Sequence, residues 1–82
     1  MIDEGNFREW LKHNTTYSDK VIRDNISRMK RADKILEWSI EPTYIFFLEK
    51  SEQFRTLSVS VRSQIKKSVT LYTQFVCNTD KN

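Results

Sequence analysis

Basic side chains recur between Ser18 and Trp38 at intervals that bring them together on one side of a helix. At 100° per residue they share an arc of roughly 100°, which the acids Asp19 and Asp24 only flank. Lysine and arginine side chains in such an arc can neutralise several phosphates, and the release of counterions drives sequence-independent binding to DNA. The predicted DNA contacts on this helix are Lys20, Arg23, Ser27, Lys30, Arg31 and Lys34.

A second basic surface is predicted towards the end of the chain, because no Asp or Glu occurs from Gln53 to Thr79. The helix expected in this segment carries basic and hydroxyl side chains on its polar side. Short hydroxyl donors suit hydrogen bonds to phosphate oxygens or base edges. The predicted DNA contacts on this helix are Arg62, Ser63, Lys66, Lys67 and Thr70.

Residues with catalytic or metal-binding chemistry are few. His13 is the only histidine and Cys77 the only cysteine, whereas a zinc site needs three or four nitrogen or sulfur ligands. Gly5 is the only glycine, which argues against a glycine-rich phosphate loop. We therefore expect no enzymatic activity, no catalytic residues, no metal site, no cofactor and no small-molecule substrate.

The overall composition favours one small helical domain. With 82 residues, of which 38% are hydrophobic and 12% aromatic, the chain has enough apolar surface for a single small core. One glycine and one proline would leave a β-rich architecture without most of its usual turn residues. We predict one helical domain over residues 1–82, with its core in about residues 6–76 and a short polar tail at residues 77–82.

Membrane and targeting segments are not apparent in the sequence. The first residues are acidic and lack the apolar region of a secretory signal. No stretch approaches the ~18 apolar residues that a membrane span requires. We expect a cytoplasmic protein that has no contact with a membrane.

The apolar spacing in the first half of the chain predicts two helices. Residues 1–5 form a leader, and Asn6 caps a first helix that ends near Asn14. Ser18 caps a second, longer helix that ends around Trp38. Both helices have one apolar side, as packing against a common core requires.

Two further helices are predicted in the second half. Pro42 lies in the first turn of the third helix, residues 55–57 form a link, and Ser58 or Ser60 caps the fourth helix. The predicted core face of the third helix consists of Tyr44, Phe47, Leu48, Ser51 and Phe54. The predicted core face of the fourth helix consists of Val61, Ile65, Ser68, Val69, Tyr72, Phe75 and Val76.

A β-hairpin is the alternative assignment for part of this region. The run Tyr44–Leu48 favours a strand, and the apolar residues Leu57, Val59 and Val61 alternate with polar ones. The spacing from Val61 to Tyr72 is helical, however, and the turn between the two strands would lack Gly, Asn and Pro. We therefore predict an all-α chain that forms a compact four-helix bundle.

Three large apolar side chains do not fit the predicted core spacing, namely Trp38, Ile45 and Phe46. They either pack beneath the first helix or form an exposed apolar patch that docks a partner protein. The patch supports an alternative function, that of a small helical protein-interaction factor such as a regulator or inhibitor of a mobile element.

The spacing of residues in the first, second and last predicted helices resembles that of a known domain family. The matching residues in the first two helices are Phe7, Trp10, Leu11, Ser18, Asp19, Lys20, Val21, Ile22, Ile26, Met29 and Lys30. Those in the last helix are Ser60, Ile65, Ser68, Val69, Tyr72 and Phe75. From about residue 6 to residue 76 the chain resembles the N-terminal core-binding domain of tyrosine recombinases, the phage-type integrases. The resemblance implies a SAM-like bundle of four helices.

In that family the second and fourth helices approach the major groove, so the resemblance implies that both basic faces grip duplex DNA. Val21 stands where the family favours Thr, and Asn25 stands where it favours an aromatic residue. The Arg, Lys, His and Tyr active-site set of the family's catalytic domain has no counterpart in this sequence. The resemblance therefore implies a DNA-binding module for DNA integration or recombination. Its expected partners are double-stranded DNA and a catalytic domain or partner protein.

Overall fold

The structure, a computed structural model, describes residues 2–79 and shows five α-helices without a strand in that range. The helices are α1 (Glu4–Asn14), α2 (Asp19–Ile35), α3 (Tyr44–Lys50), α4 (Glu52–Arg55) and α5 (Val59–Thr79). The all-α prediction is confirmed, and the β-hairpin alternative is wrong. None of these helices combines the length and the apolar character that crossing a membrane would need.

One hydrophobic core lies between α2 and α5, and α1 and the α3–α4 segment close it from the sides. The aromatic rings of α1 and α5 meet within it, with the Phe7 ring 5.1 Å from Tyr72 and 5.6 Å from Phe75. The core consists of Phe7, Leu11, Ile22, Ile26, Met29, Ala32, Tyr44, Leu48, Phe54, Ile65, Val69, Tyr72 and Phe75. Of the core face predicted for the last helix, Ile65, Ser68, Val69, Tyr72 and Phe75 are buried, whereas Val61 and Val76 are only partly buried.

The start of α1 differs from the prediction. The carboxylate of Asp3 accepts a hydrogen bond from the backbone N–H of Asn6 at 3.3 Å, so Asp3 is the cap and Asn6 lies in the first turn. The helix begins at Glu4 and includes Gly5, which we had assigned to a leader. Asp3 is also held by its own N–H, which donates to the Tyr72 hydroxyl at 2.9 Å. That contact with the far end of the chain could not be predicted from local spacing.

The cap predicted for α2 is confirmed, because the Ser18 hydroxyl accepts from the Val21 N–H at 3.3 Å. The helix ends at Ile35 rather than around Trp38. Its last turn is held by the Tyr44 hydroxyl, which lies 3.2 Å from the Ala32 carbonyl oxygen and 2.6 Å from that of Leu36. The Ala32 carbonyl oxygen also accepts from the Leu36 N–H at 2.9 Å, so the Tyr44 hydroxyl is a second donor there and the donor to the Leu36 carbonyl oxygen, where the chain becomes extended.

The third predicted helix is two helices, so the number is five rather than four. Ser51 adopts an extended conformation, which separates α3 from the single turn of α4. Pro42 lies in the turn before α3 instead of in its first turn. The break still leaves Phe54 buried, as predicted.

Phe47 is 56% exposed, so its assignment to the core is wrong. At 100° per residue, the buried side chains of Tyr44 and Leu48 are separated by only about 40°, and Ile45 extends this stripe on one side. Phe46 and Phe47 fall outside the stripe. A helix as short as α3 buries only this narrow side against α2 and α5.

The last helix is capped by Ser58, whose hydroxyl accepts a hydrogen bond from the Val61 N–H at 3.2 Å. Of the two predicted caps, Ser58 is therefore correct and Ser60 is not. The helix continues to Thr79, so residues 77–79 of the predicted tail are helical. Met1 and residues 80–82, which belong to the predicted leader and tail, lie outside the described residues.

A buried pair of polar side chains joins α2 to α5. The Ser68 hydroxyl donates to Asn25 Oδ1 at 2.8 Å, and Asn25 Nδ2 donates to the Val21 carbonyl oxygen at 2.9 Å. Ser68 is fully buried and Asn25 is 6% exposed. The contact between Asn25 and Ser68 is therefore a directional hydrogen bond rather than an apolar contact, and it favours one orientation of α2 against α5.

We predict that Ser68→Ala lowers the free energy of unfolding by about 1–3 kcal/mol, because it leaves the buried Asn25 oxygen without a donor. Ser63→Ala, a change at an exposed position of the same helix, should alter the free energy of unfolding by less than about 0.5 kcal/mol. Urea unfolding followed by circular dichroism measures both. Equal values for the two variants would show that the Asn25–Ser68 bond does not stabilise the fold.

Candidate nucleic-acid interface

All six residues predicted to contact DNA from α2 are exposed. The opposite side of the helix buries Ile22, Ile26 and Met29 in the core, which fixes the rotation of α2. The two ends are held by the Ser18 cap and the Tyr44 hydroxyl. The α2 basic face, as we call this surface, consists of Lys20, Arg23, Ser27, Lys30, Arg31 and Lys34.

Two lysines of the α2 basic face are paired with acids. Lys30 Nζ lies 3.6 Å from a carboxylate oxygen of Glu4 on α1, and Lys20 Nζ lies 3.4 Å from one of Asp24. Both pairs are exposed, and pairs of this kind contribute only about 0–1 kcal/mol. Among residues 2–79, three cations of the face have no acid oxygen within 4.0 Å: Arg23, Arg31 and Lys34.

The structure adds neighbours to the α2 basic face that the sequence did not indicate. Gln53 and Thr56 line a groove together with Arg31 and Lys34, and both are exposed polar residues. At the other end of α2, Arg8 lies beside Arg23 in the groove between α1 and α2. These residues come from other helices or turns, so no spacing along α2 could have found them.

The basic side predicted for the last helix is divided by the packing of α3 and α4. Ser63, Lys67 and Thr70 are exposed, whereas Arg62 and Lys66 are half-buried. Lys66 Nζ forms an ion pair with the Glu49 carboxylate of α3 at 2.7 Å. The predicted contacts on α5 therefore do not form one open face comparable to that of α2.

Arg62 and Lys66 line a cavity of about 300 Å³ between α3, α4 and the first turns of α5. The cavity also contains Arg55 and the carboxylate of Glu49. The Arg62 Nε atom is buried and has no hydrogen-bond partner within the described part of the chain. A buried N–H without an acceptor costs about 1–3 kcal/mol, and more where the group is charged. This donor is the one unsatisfied buried side-chain atom among residues 2–79.

The apolar patch predicted for protein docking is rearranged. Trp38 is half-buried edge-on against Tyr72 at 4.9 Å, and its Nε1–H donates to Thr73 Oγ1 at 3.4 Å. Ile45 packs against the core. Phe46 remains exposed and is joined by Phe47, with ring centroids 5.4 Å apart. The sequence missed this pair because it assigned Phe47 to the core.

The side chains with catalytic or metal-binding chemistry stay apart. His13 Nδ1 lies 2.7 Å from the Glu9 carbonyl oxygen on its own helix, and Cys77 is exposed near the end of α5. Within residues 2–79, no three His, Cys, Asp or Glu side chains are grouped so as to hold a metal ion.

Burial, with a smaller contribution from the negative charge of Asp33, raises the pKa of the Tyr44 hydroxyl to about 12. Burial also raises the pKa of Tyr72. The hydroxyl of Tyr44 in an unfolded chain ionises near pH 10. The stability that neutral Tyr44 contributes is therefore fully present below about pH 10 and is lost as the pH rises from 10 to 12.

We predict that Tyr44→Phe removes part of this alkaline sensitivity. The variant should be less stable than the wild type at pH 8, because the Leu36 carbonyl oxygen loses the Tyr44 donor and the Ala32 carbonyl oxygen keeps only the Leu36 N–H. Between pH 10 and 12 its free energy of unfolding should fall less steeply than that of the wild type. Urea unfolding at pH 8, 10 and 11.5 measures both slopes, and parallel declines would contradict the assignment.

In comparisons with protein-family models, curated proteins and solved structures, no match to this chain was found.

Proposed function

We propose that this domain binds double-stranded DNA through the α2 basic face, as a module resembling the core-binding domain of tyrosine recombinases. The observation that carries the proposal is that three exposed cations on one side of α2 have no acid partner among the described residues: Arg23, Arg31 and Lys34. In this reading, cleavage of DNA belongs to a separate catalytic domain. Lys67 of α5 provides a further exposed donor, whereas the Thr70 hydroxyl donates to the Lys66 carbonyl oxygen at 3.0 Å.

The dimensions of α2 suit a DNA surface. From Lys20 to Lys34 the helix rises about 21 Å at 1.5 Å per residue, and a single helix fits the major groove of about 12 Å width. If Arg23, Arg31 and Lys34 each contact one phosphate, log K should fall with log salt at a slope of about −2.7. Ser27 lies between these cations and supplies a short hydroxyl donor.

The acids beside the α2 basic face favour contact with the phosphate backbone over reading of bases. Glu4 and Asp24 lie at its edges, paired with Lys30 and Lys20. Deep insertion of α2 into the major groove would bring these carboxylates close to phosphates, which is unfavourable. We therefore infer binding that depends strongly on salt and weakly on sequence.

The first test of DNA binding removes two of the free cations. We predict that Arg31→Gln combined with Lys34→Gln makes the salt slope shallower by about 1.8, since each phosphate contact contributes about 0.9. The matched control, Lys12→Gln combined with Lys50→Gln, changes the net charge equally but leaves α2 intact. Fluorescence anisotropy of a labelled ~25-base-pair duplex at two salt concentrations measures these slopes.

Two outcomes of this titration would contradict the proposal. An equal loss in the two double variants would mean that net charge, and not the α2 basic face, governs the association. Absence of binding by the folded wild-type chain at low salt would exclude DNA binding by this domain alone.

A second candidate function is docking of a partner protein through Phe46 and Phe47. These neighbouring rings are 54% and 56% exposed, and Lys50 Nζ lies 4.7 Å from the centre of the Phe46 ring. Paired exposed aromatic side chains are typical of protein interfaces. This observation favours a site on α3 that is separate from the α2 basic face.

We predict that Phe46→Ser combined with Phe47→Ser leaves the free energy of unfolding within about 1 kcal/mol, because both rings are largely in solvent. The same variant should retain wild-type affinity for the duplex. In proximity labelling in cells, the double phenylalanine variant should no longer label the proteins that bind Phe46 and Phe47. The variant with Arg31→Gln and Lys34→Gln should still label them. Identical labelling by wild type and the phenylalanine variant would exclude docking at α3.

A further inference from the structure

We infer that the cavity between α3, α4 and the first turns of α5 is a binding site for one phosphate group. Three cationic residues line it, the exposed Arg55 at the end of α4 and the half-buried Arg62 and Lys66 of α5. The hydroxyl-bearing Ser63 also lines it, and Glu49 is its one acid. The site is distinct from the α2 basic face and does not depend on the proposed binding of DNA.

Arg62 provides the observation that points to an anion. Its Nε is buried and has no acceptor among residues 2–79, although the side chain borders a cavity. A guanidinium group binds phosphate side-on through Nε and one terminal nitrogen, with two parallel hydrogen bonds. Because protein atoms cover Nε here, Arg62 must turn this N–H towards the cavity for a phosphate oxygen to supply the acceptor that it lacks.

The start of α5 adds to the positive potential in the cavity. Val59, the first residue of this long helix, lines the cavity, and the first turn contains no acid. The positive end of the helix dipole is therefore not neutralised locally. Together with the three cations, it favours an anion over a neutral ligand.

Glu49 occupies part of the same site and competes with the phosphate for Lys66. Its carboxylate lies 2.7 Å from Lys66 Nζ, and the two side chains are 46% and 39% exposed. A pair this exposed is weak and can be exchanged for another anion. Removal of the Glu49 charge should therefore strengthen phosphate binding, whereas a purely structural ion pair would give no such gain.

The test is a titration of the ¹⁵N-labelled full chain with sodium phosphate at constant ionic strength, adjusted with sodium chloride. The Nε–Hε signal of Arg62 should shift and saturate. Backbone amide signals of Ser63 and Lys66 report binding in the variants. We expect at least tenfold weaker binding in Arg62→Gln, severalfold tighter binding in Glu49→Gln and no change in Lys12→Gln, the control on α1.

The inference is overturned if no signal saturates, or if folded Arg62→Gln binds phosphate as the wild type does. Should circular dichroism show that Arg62→Gln does not fold, Arg55→Gln replaces it and the same outcomes apply.

The duplex titration then identifies the source of the phosphate. A loss of duplex affinity in Arg62→Gln supports a backbone phosphate, and an unchanged affinity supports free phosphate or a phosphomonoester. Because the α2 variants are tested separately, either proposal can fail without the other.

Discussion

The arrangement of this fold depends on the buried hydrogen bond between Asn25 and Ser68. A polar pair in a core must be satisfied, and here the Asn25 amide oxygen receives its donor from Ser68 across the two helices, whereas the amide N–H donates to Val21 within α2. Apolar side chains alone would tolerate small rotations of one helix on the other. Together with the buried apolar side of α2, the bond holds the helix in the rotation that leaves Arg23, Arg31 and Lys34 exposed.

The packing of the helices also explains why the cations of α2 are more accessible than those of α5. No other helix within residues 2–79 covers the outer side of α2, so its cations are exposed. The polar side of α5 is partly covered by α3 and α4, which bring Glu49 to Lys66 and enclose Arg62. One helix therefore presents an extended charged face, the surface proposed to bind DNA, and the other lines a cavity, the site proposed to bind a single phosphate group.

Apolar periodicity was sufficient to predict α1, α2 and α5, because each of these helices buries one continuous stripe. It failed where a contact distant in sequence decided the outcome. The end of α2 depends on the hydroxyl of Tyr44, and the start of α1 depends on Asp3, which Tyr72 holds in place. Phe47 was assigned to the core because the i, i+3 spacing from Tyr44 also fits a longer helix, which the extended conformation of Ser51 interrupts. The α2 basic face was predictable residue by residue, whereas the cavity at Arg62 was not.

The charged surfaces share one feature, which is the type of cation that the acids pair with. Glu4, Asp24 and Glu49 each lie beside a lysine, and each of these pairs is exposed enough to be exchanged for another anion. The arginines Arg23, Arg31 and Arg62 have no acid partner within the described residues. Arginine binds phosphate through a rigid fork, whereas lysine acts as a mobile point charge. Within residues 2–79 these acids thus pair with lysines and leave these three arginines, together with Lys34, without an acid partner, and the proposed phosphate contacts depend on that distribution of charge.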